Sequence, residues 1–153
     1  MERITKDEYY LKIAKTVSSR STCLKRQYGC VIVNNDEIIA TGYNGSPRGE
    51  DNCCDRGFCL RMDEPSNSGK YDECHSVHAE QNAMISASRK DMIGATMYLY
   101  GQENRKETLT ASSGYMVEQF LEIEAIPCPI CKRMLKNAGI KYFCNREGKY
   151  VLN

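Results

Sequence analysis

The sequence predicts an α/β protein in which helices pack on a mixed β-sheet. Three observations predict this class. Helical and strand patterns follow one another in the order helix, hairpin, helix, strand, helix, strand. The length of 153 residues fits a single domain, 1–153, with one hydrophobic core. The hydrophobic content of 41% is sufficient to fill such a core.

The first part of the chain predicts one helix and one hairpin. Residues 6–19 carry apolar side chains at helical spacing. A β-rich run at 30–33, a turn at 34–36 and a second run at 37–43 predict the hairpin. A loop rich in glycine, asparagine and proline then stays irregular to about residue 75, and a loop of this length needs something to hold it.

The second part of the chain predicts alternating helices and strands. Their predicted ranges are helix 77–90, strand 96–100, helix 129–137 and strand 140–144. Pro129 suits the first turn of its helix, and Gly139 lies just past the end of that helix.

An insertion at about 101–126 lies between the predicted strand 96–100 and the predicted helix 129–137. It begins with a polar stretch and continues as YMVEQFLEIEA, which predicts an extra amphipathic helix at 115–125. The apolar stripe of that helix is interpreted as packing, and its members are Tyr115, Met116, Phe120 and Ile123. The insertion is a candidate lid or subunit contact.

Composition excludes several classes of protein. No apolar run is long enough to span a membrane, and the charged N-terminus is unlike a signal peptide, so a cytoplasmic location is expected. A net charge of +1 argues against nucleic-acid binding. Nine cysteines without a secretion signal favour metal thiolates over disulfides.

Two short motifs predict a catalytic metal site. HAE places His78 two residues before Glu80, and PCPIC places Cys128 and Cys131 three residues apart at the start of a helix. Together His78, Cys128 and Cys131 supply three zinc ligands and leave an open position, as a catalytic zinc requires. Glu80 is then available to move protons to and from a zinc-activated water.

Each motif alone has a simpler interpretation. A single histidine such as His78 is more often a satisfied core or surface residue. PCPIC alone is equally typical of a structural zinc corner or a redox pair. Cys30 and Cys144 lie in predicted strands and are interpreted as small buried hydrophobic residues.

The combined pattern H-A-E … P-C-x-x-C resembles the zinc-dependent cytidine deaminase superfamily. The segments RQYGCVIV, TGYNGSPRG and GATMYLY resemble its deoxycytidylate (dCMP) deaminase branch, and the likeness covers most of residues 5–145. The resemblance implies the three-layer fold of the superfamily and hydrolysis of dCMP to dUMP and ammonia, which supplies dUMP for thymidylate synthesis. It implies His78, Cys128 and Cys131 as zinc ligands and Glu80 as the acid and base.

The same resemblance implies the substrate contacts. Asn44 is expected to hold the nucleotide, and Ser46 and Arg48 are expected near its phosphate. Arg26 is a further phosphate candidate because of its charge. Arg89 matches a helix position used at subunit interfaces of the family.

A second, structural zinc is also implied, because some phage and bacterial members carry one between equivalent segments. Matching those segments assigns Cys23 and Cys53 as ligands, with Cys59 and Cys74 completing the set. Cys54 or His75 is an alternative for one of these positions. Such a site would hold the loop that carries Asn44.

Three other interpretations stay open at this stage. One is a deaminase of another nucleotide or nucleoside, or of a pterin or riboflavin precursor. The second is a non-catalytic zinc-stabilised module. The third is a nucleic-acid base editor, which the near-neutral charge and the absence of Trp disfavour.

The resemblance also implies a hexamer that dCTP activates and dTTP inhibits.

Overall fold

The computed structural model describes residues 1–65, 68–108 and 116–152. The helices are α1 (Lys6–Ser18), α2 (Cys53–Arg56), α3 (Ala79–Ile85), α4 (Arg89–Met92) and α5 (Pro129–Ala138). The strands are β1 (Arg26–Asn34), β2 (Glu37–Tyr43), β3 (Thr96–Thr108), β4 (Met116–Ile123), β5 (Tyr142–Asn145) and β6 (Gly148–Val151). A 3₁₀ turn spans Tyr71–Glu73.

The strands form one mixed sheet in the order β2-β1-β3-β5-β6. β1 pairs antiparallel with β2 and β3, whereas β3 and β5 run parallel. β4 pairs antiparallel with the second half of β3. The central strand β3 therefore joins the hairpin of the N-terminal part to the strands of the C-terminal part.

The two faces of the sheet carry separate apolar clusters, as the alternation of side chains along a strand requires. On β1, Val31 and Val33 pack with Tyr10 and Ala14 of α1. Ile32, between them, points to the opposite face, where α3 and α5 pack. The result is the predicted helix–sheet–helix arrangement in three layers, so the predicted fold class is confirmed.

Two glycines allow helices to approach this sheet closely. A Cβ at Gly29 would lie 2.0 Å from the carbonyl oxygen of Ala14 in α1. A Cβ at Gly42 would lie 2.3 Å from the carbonyl oxygen of Ala79 in α3. The helix backbone cannot move far enough to relieve such contacts. Both helices therefore require glycine, which has no side chain, at these positions of the sheet.

Polar side chains fix α1 at its first turn. Thr5 and Glu8 form a capping box there. The carboxylate of Asp7 accepts a hydrogen bond of 2.7 Å from the Tyr98 hydroxyl and pairs with the Lys149 amine at 2.8 Å. One side chain of α1 therefore contacts both β3 and β6.

The predicted helix over 77–90 is wrong as one element. α3 ends at Ile85 and α4 begins at Arg89. Ser88 forms the N-cap of α4, where its side chain accepts the backbone N–H of Asp91 at 3.2 Å. Serine competes with the helical backbone in this way, which explains why the run divides.

The predicted helix over 115–125 is wrong in type. Met116–Ile123 is strand β4, paired residue by residue with β3, which extends to Thr108 rather than ending at 100. A short run of this kind satisfies helical and strand periodicity equally well, and the exposed edge of β3 decides between them. Tyr115 lies outside the described residues.

The other predicted elements are confirmed with small shifts of their bounds. α1, the β1–β2 hairpin, α5 and β5 are all present, and β6 was not predicted. Residues 44–75 are mostly irregular and contain only α2 and the 3₁₀ turn in their described part. Cys30 and Cys144 are buried, as predicted. In the part of the chain that is described, no helix has the length and apolarity needed to cross a membrane.

Candidate active site

Three predicted ligands meet between α3 and α5. The Nδ1 atom of His78 lies 3.6 Å from Sγ of Cys128 and 3.4 Å from Sγ of Cys131. All three donor atoms lie within 4.8 Å of one another, and within the described residues no other group of three or more potential ligands is this close. One nitrogen and two sulfurs around one point are a ligand set that suits Zn²⁺.

The cluster lies at the N-termini of α3 and α5. His78 is the N-cap of α3, and its backbone N–H donates to the Gln81 side chain at 3.0 Å. Cys128 is the N-cap of α5, and its sulfur accepts the backbone N–H of Cys131 at 3.4 Å. The two helix starts thus bring one nitrogen donor and one sulfur donor to the same site.

The fourth member of the pattern, Glu80, lies in the first turn of α3 and is 5% exposed. Burial raises its pKa to about 7. Burial also raises the pKa of the Cys131 thiol, and the neighbouring charges of Glu80 and Cys128 act in the same direction. Several acidic groups thus share a buried space that disfavours negative charge, and a bound cation would relieve this.

The histidine is also suited to metal binding. Burial lowers the pKa of His78, and the nearby positive charge of Arg61 lowers it further. The neutral imidazole is the form that donates to a metal. The donor set, its spacing and its electrostatics therefore all fit zinc.

A cavity opens beside this centre. His78, Glu80 and Cys128 line it on the catalytic side. The remaining walls contain aromatic, amide and basic side chains, among them Tyr28, Tyr71, Asn44, Lys25, Arg26 and Arg61. The cavity therefore joins a metal-ligand cluster and a buried carboxyl to three cationic side chains.

Asn44 lines this cavity, and its buried side chain connects two segments of the chain through hydrogen bonds. Its Oδ1 accepts the Tyr28 backbone N–H at 2.8 Å and the Ser21 hydroxyl at 2.6 Å. Its Nδ2 donates to the Arg26 carbonyl at 2.8 Å. The side chain joins the loop after β2 to the start of β1, and one N–H of its amide has no partner among these bonds.

The predicted phosphate contacts lie in different environments. Arg26 lines the cavity, but its guanidinium is paired with Glu103. Arg48 is exposed, and neither it nor Ser46 is among the residues that line the cavity. The Ser46 hydroxyl is buried without a hydrogen-bond partner in the described part of the chain. Arg89, in α4, is exposed.

The four cysteines assigned to a second metal are neighbours, but their sulfurs do not form a tight cluster among the described residues. Burial raises the pKa of Cys23, and the charges of Cys59 and Cys53 also act on it. Burial likewise raises the pKa of Cys53, with contributions from Cys59 and Cys74. The second zinc site stays a prediction.

Sequence reasoning missed Lys25, Arg61 and Tyr71 as cavity residues. Arg61 and Tyr71 belong to the irregular loop after α2, where no periodicity relates a residue to the sheet. The available signal was indirect, since Cys59 and Cys74, already assigned to a metal, flank both residues.

A family model covers most of the chain. Residues 4–145 match the model described as the cytidine and deoxycytidylate deaminase zinc-binding region. The match includes both motifs of the metal centre.

Curated relatives are similar over shorter segments. The deoxycytidylate deaminase of Schizosaccharomyces pombe (strain 972) is 44% identical over 61% of this chain, and the match spans only 29% of that protein. The deoxycytidylate deaminase of Mycobacterium phage D29 is 39% identical over 65% of this chain and 80% of its own length.

A solved structure is similar over nearly the whole chain. The dCMP deaminase of the cyanophage S-TIM5, crystallised in complex with dCMP and dUMP, aligns with a TM-score of 0.57 and 25% identity. The alignment covers 94% of this chain and 85% of the cyanophage chain.

Proposed function

Because the chain belongs to the family of the cytidine and deoxycytidylate deaminase zinc-binding region, we propose that it hydrolyses dCMP to dUMP and ammonia. The observation that carries this proposal is a buried carboxyl, Glu80, beside the His78–Cys128–Cys131 cluster in a cavity with basic walls. The names of the similar proteins above support dCMP as the substrate.

The chemistry divides between the metal and the protein. When bound by His78, Cys128 and Cys131, zinc supplies a Lewis acid that makes water a nucleophile near neutral pH. Glu80 moves the protons. Burial raises the pKa of this carboxyl, and a raised pKa suits a group that must both accept and return a proton.

The overall reaction balances without a further reactant. One water adds to the amino-bearing ring carbon, the C–N bond breaks, and a ring carbonyl forms. Glu80 takes a proton from water and donates it to the ring nitrogen, and it then passes the proton of the new hydroxyl to the amino group, which leaves as ammonia. No electron donor or acceptor is needed.

The walls of the cavity support a nucleotide rather than a free base. Arg61 provides positive charge, and Tyr28 and Tyr71 provide apolar surface. Asn44 lines the same cavity, which supports the proposal that its remaining amide N–H contacts the nucleotide. The roles of Ser46 and Arg48 at the phosphate stay predictions.

The test is ammonia release from dCMP, CMP, deoxycytidine and cytosine by the purified zinc-loaded protein. We expect dCMP to be the best substrate, and we expect Glu80→Gln to lower kcat by about 10²- to 10⁴-fold, the usual contribution of a general acid–base group. Glu37→Gln, which changes an exposed glutamate at the start of β2, is the matched control and is expected to be fully active.

The remaining outcomes distinguish the alternatives. Faster turnover of deoxycytidine than of dCMP would make the protein a nucleoside deaminase. Activity only on a riboflavin or pterin precursor would move it to another branch. Zinc binding with no turnover of any of these compounds would favour a structural module.

Further properties are part of the same proposal. A second zinc held by Cys23, Cys53, Cys59 and Cys74 predicts two zinc ions per chain, and Cys53→Ser would lower that number to one. A hexamer, activation by dCTP, inhibition by dTTP and a cytoplasmic location stay predictions. Sedimentation and initial-rate measurements with each effector test the first three.

A further inference from the structure

We infer that Arg61 is the residue that recognises the 5′-phosphate of the substrate, an inference that rests on the proposed function and makes its substrate preference specific. Arg61 precedes the 3₁₀ turn in the irregular loop and lines the same cavity as His78 and Glu80. It belongs to none of the motifs that the sequence analysis assigned to phosphate binding.

The other two cations of the cavity are already engaged. Arg26 donates from Nε and Nη2 to Glu103 at 2.9 and 2.6 Å, so its charge is neutralised within the protein. The Lys25 amine donates to the backbone carbonyls of Arg61 and Glu64. Lys25 therefore fixes the loop that carries Arg61 rather than facing a ligand.

Arg61 itself retains hydrogen-bonding capacity. In the part of the chain that the structure describes, no carboxylate lies within ion-pairing distance of its guanidinium. One bond runs from its Nη2 to the Ser68 hydroxyl at 2.6 Å. Its Nε is buried and has no hydrogen-bond partner among the described residues.

A buried N–H on a charged group needs an acceptor, and a phosphate supplies several. The planar guanidinium matches two phosphate oxygens at once, which makes arginine especially suited to this ligand. The phosphate of the proposed substrate would pair with the positive charge of Arg61 and accept the hydrogen bond of its buried Nε–H.

An aromatic side chain links Arg61 to the catalytic centre. Cζ of Arg61 lies 5.8 Å from the centre of the Tyr71 ring, within the range of a cation–π contact. The Tyr71 ring in turn lies 5.9 Å from the imidazole of His78. The guanidinium of Arg61 and the imidazole of His78 therefore both lie beside the ring of Tyr71.

The experiment compares dCMP with deoxycytidine, which differ only in the phosphate. For Arg61→Gln we expect kcat/KM for dCMP to fall by about 10- to 100-fold, the factor for loss of a charge-assisted contact, while the value for deoxycytidine stays unchanged. Arg61→Lys should recover only part of the loss because an ammonium lacks the planar pair of donors that matches two phosphate oxygens. Arg20→Gln, at the exposed end of α1, is the matched control and should behave as wild type.

Binding of the product separates this inference from the proposed reaction. Calorimetry should show dUMP binding more tightly than deoxyuridine to the wild type, with the difference lost in Arg61→Gln. If the wild type binds dUMP in this way but does not deaminate dCMP, the proposed reaction fails and the phosphate role of Arg61 stands. Circular dichroism and zinc content of each variant show that it is folded and loaded.

Two results would overturn the assignment. One is an equal loss of activity on dCMP and deoxycytidine in a folded Arg61→Gln, which would mean that Arg61 only positions the loop. The other is a wild-type protein that binds dUMP no more tightly than deoxyuridine.

Discussion

Arg26 and Glu103 face each other across β1 and β3, and both donor bonds from the arginine end on the same carboxylate oxygen. Each side chain retains about a fifth of its exposure, at 20% and 23%. The pair neutralises the charge of one of the three cationic side chains that line the cavity. We therefore expect Glu103 to reduce the attraction of the cavity for an anion.

Replacing Glu103 with Gln should release the charge of Arg26 towards the substrate. We expect KM for dCMP to fall about 2- to 5-fold, the factor for a partly exposed ion pair, and KM for deoxycytidine to stay constant. Initial-rate kinetics measure both values, with Glu122→Gln on β4 as the control. An increase in KM for dCMP would show instead that Glu103 holds Arg26 in a binding position.

Replacing Asn44 with Ala should destabilise the protein. The substitution removes three hydrogen bonds and leaves the Tyr28 N–H and the Arg26 carbonyl without that partner in a buried setting. We expect a loss of about 3 kcal/mol in the free energy of unfolding, measured by urea denaturation. In Asn34→Ala, water can replace the lost donor at the exposed backbone carbonyls of Asp91 and Ile93. The loss in the free energy of unfolding should therefore stay below about 1 kcal/mol. Equal losses in the two variants would contradict the connector role of Asn44.

Two cysteine substitutions separate metal binding from packing. Cys131→Ser removes a metal ligand, so we expect less than one tenth of the wild-type zinc at the catalytic site and no measurable deamination, because two ligands hold zinc far more weakly than three. Cys144→Ser changes a buried cysteine of β5 that belongs to the core, and it should retain zinc and activity. Zinc content by atomic absorption is the measurement, and loss of zinc in both variants would mean that general unfolding is responsible.

Asp7 predicts a pH dependence of stability. Burial alone raises the pKa of Asp7, but the hydrogen bonds from Lys149 and Tyr98 and the Lys149 charge together lower it below the ordinary value of 3.8. The stabilisation is therefore fully present above pH 3.8 and is lost as the pH falls through the lowered pKa.

Asp7→Asn should accordingly cost about 0.5–1 kcal/mol at neutral pH, a modest value because the side chain is 40% exposed. The difference from wild type should shrink below pH 3.8. Chemical denaturation at several pH values measures it, and Asp51→Asn, in an exposed loop, is the control. A difference that persists unchanged in acid would point to packing rather than charge.

The sequence was sufficient for the elements whose own residues determine them. Pro129 and Gly139 fixed the ends of α5, and the positive φ angles of Asn35 and Asp36 match the turn predicted between β1 and β2. The ligand triad was predictable because HAE and PCxxC each carry their chemistry in a few adjacent positions.

Features that depend on distant partners were not predictable. β4 forms a strand because its backbone pairs with the edge of β3. The residues 116–123 themselves do not indicate that this edge is available. Arg26 was a reasonable phosphate candidate by charge, and its pairing with Glu103 depends on strand register. Arg61 reaches the cavity through an irregular loop, where sequence spacing gives no direction.

The separation of the metal ligands along the chain has a consequence for synthesis. His78 lies 50 residues before Cys128 and 53 before Cys131, and each belongs to a helix start that only the assembled sheet brings together. A ribosome must release the chain beyond residue 131 before this triad exists. Binding of one zinc ion by all three ligands therefore requires α3 and α5 to have docked on the same face of the sheet.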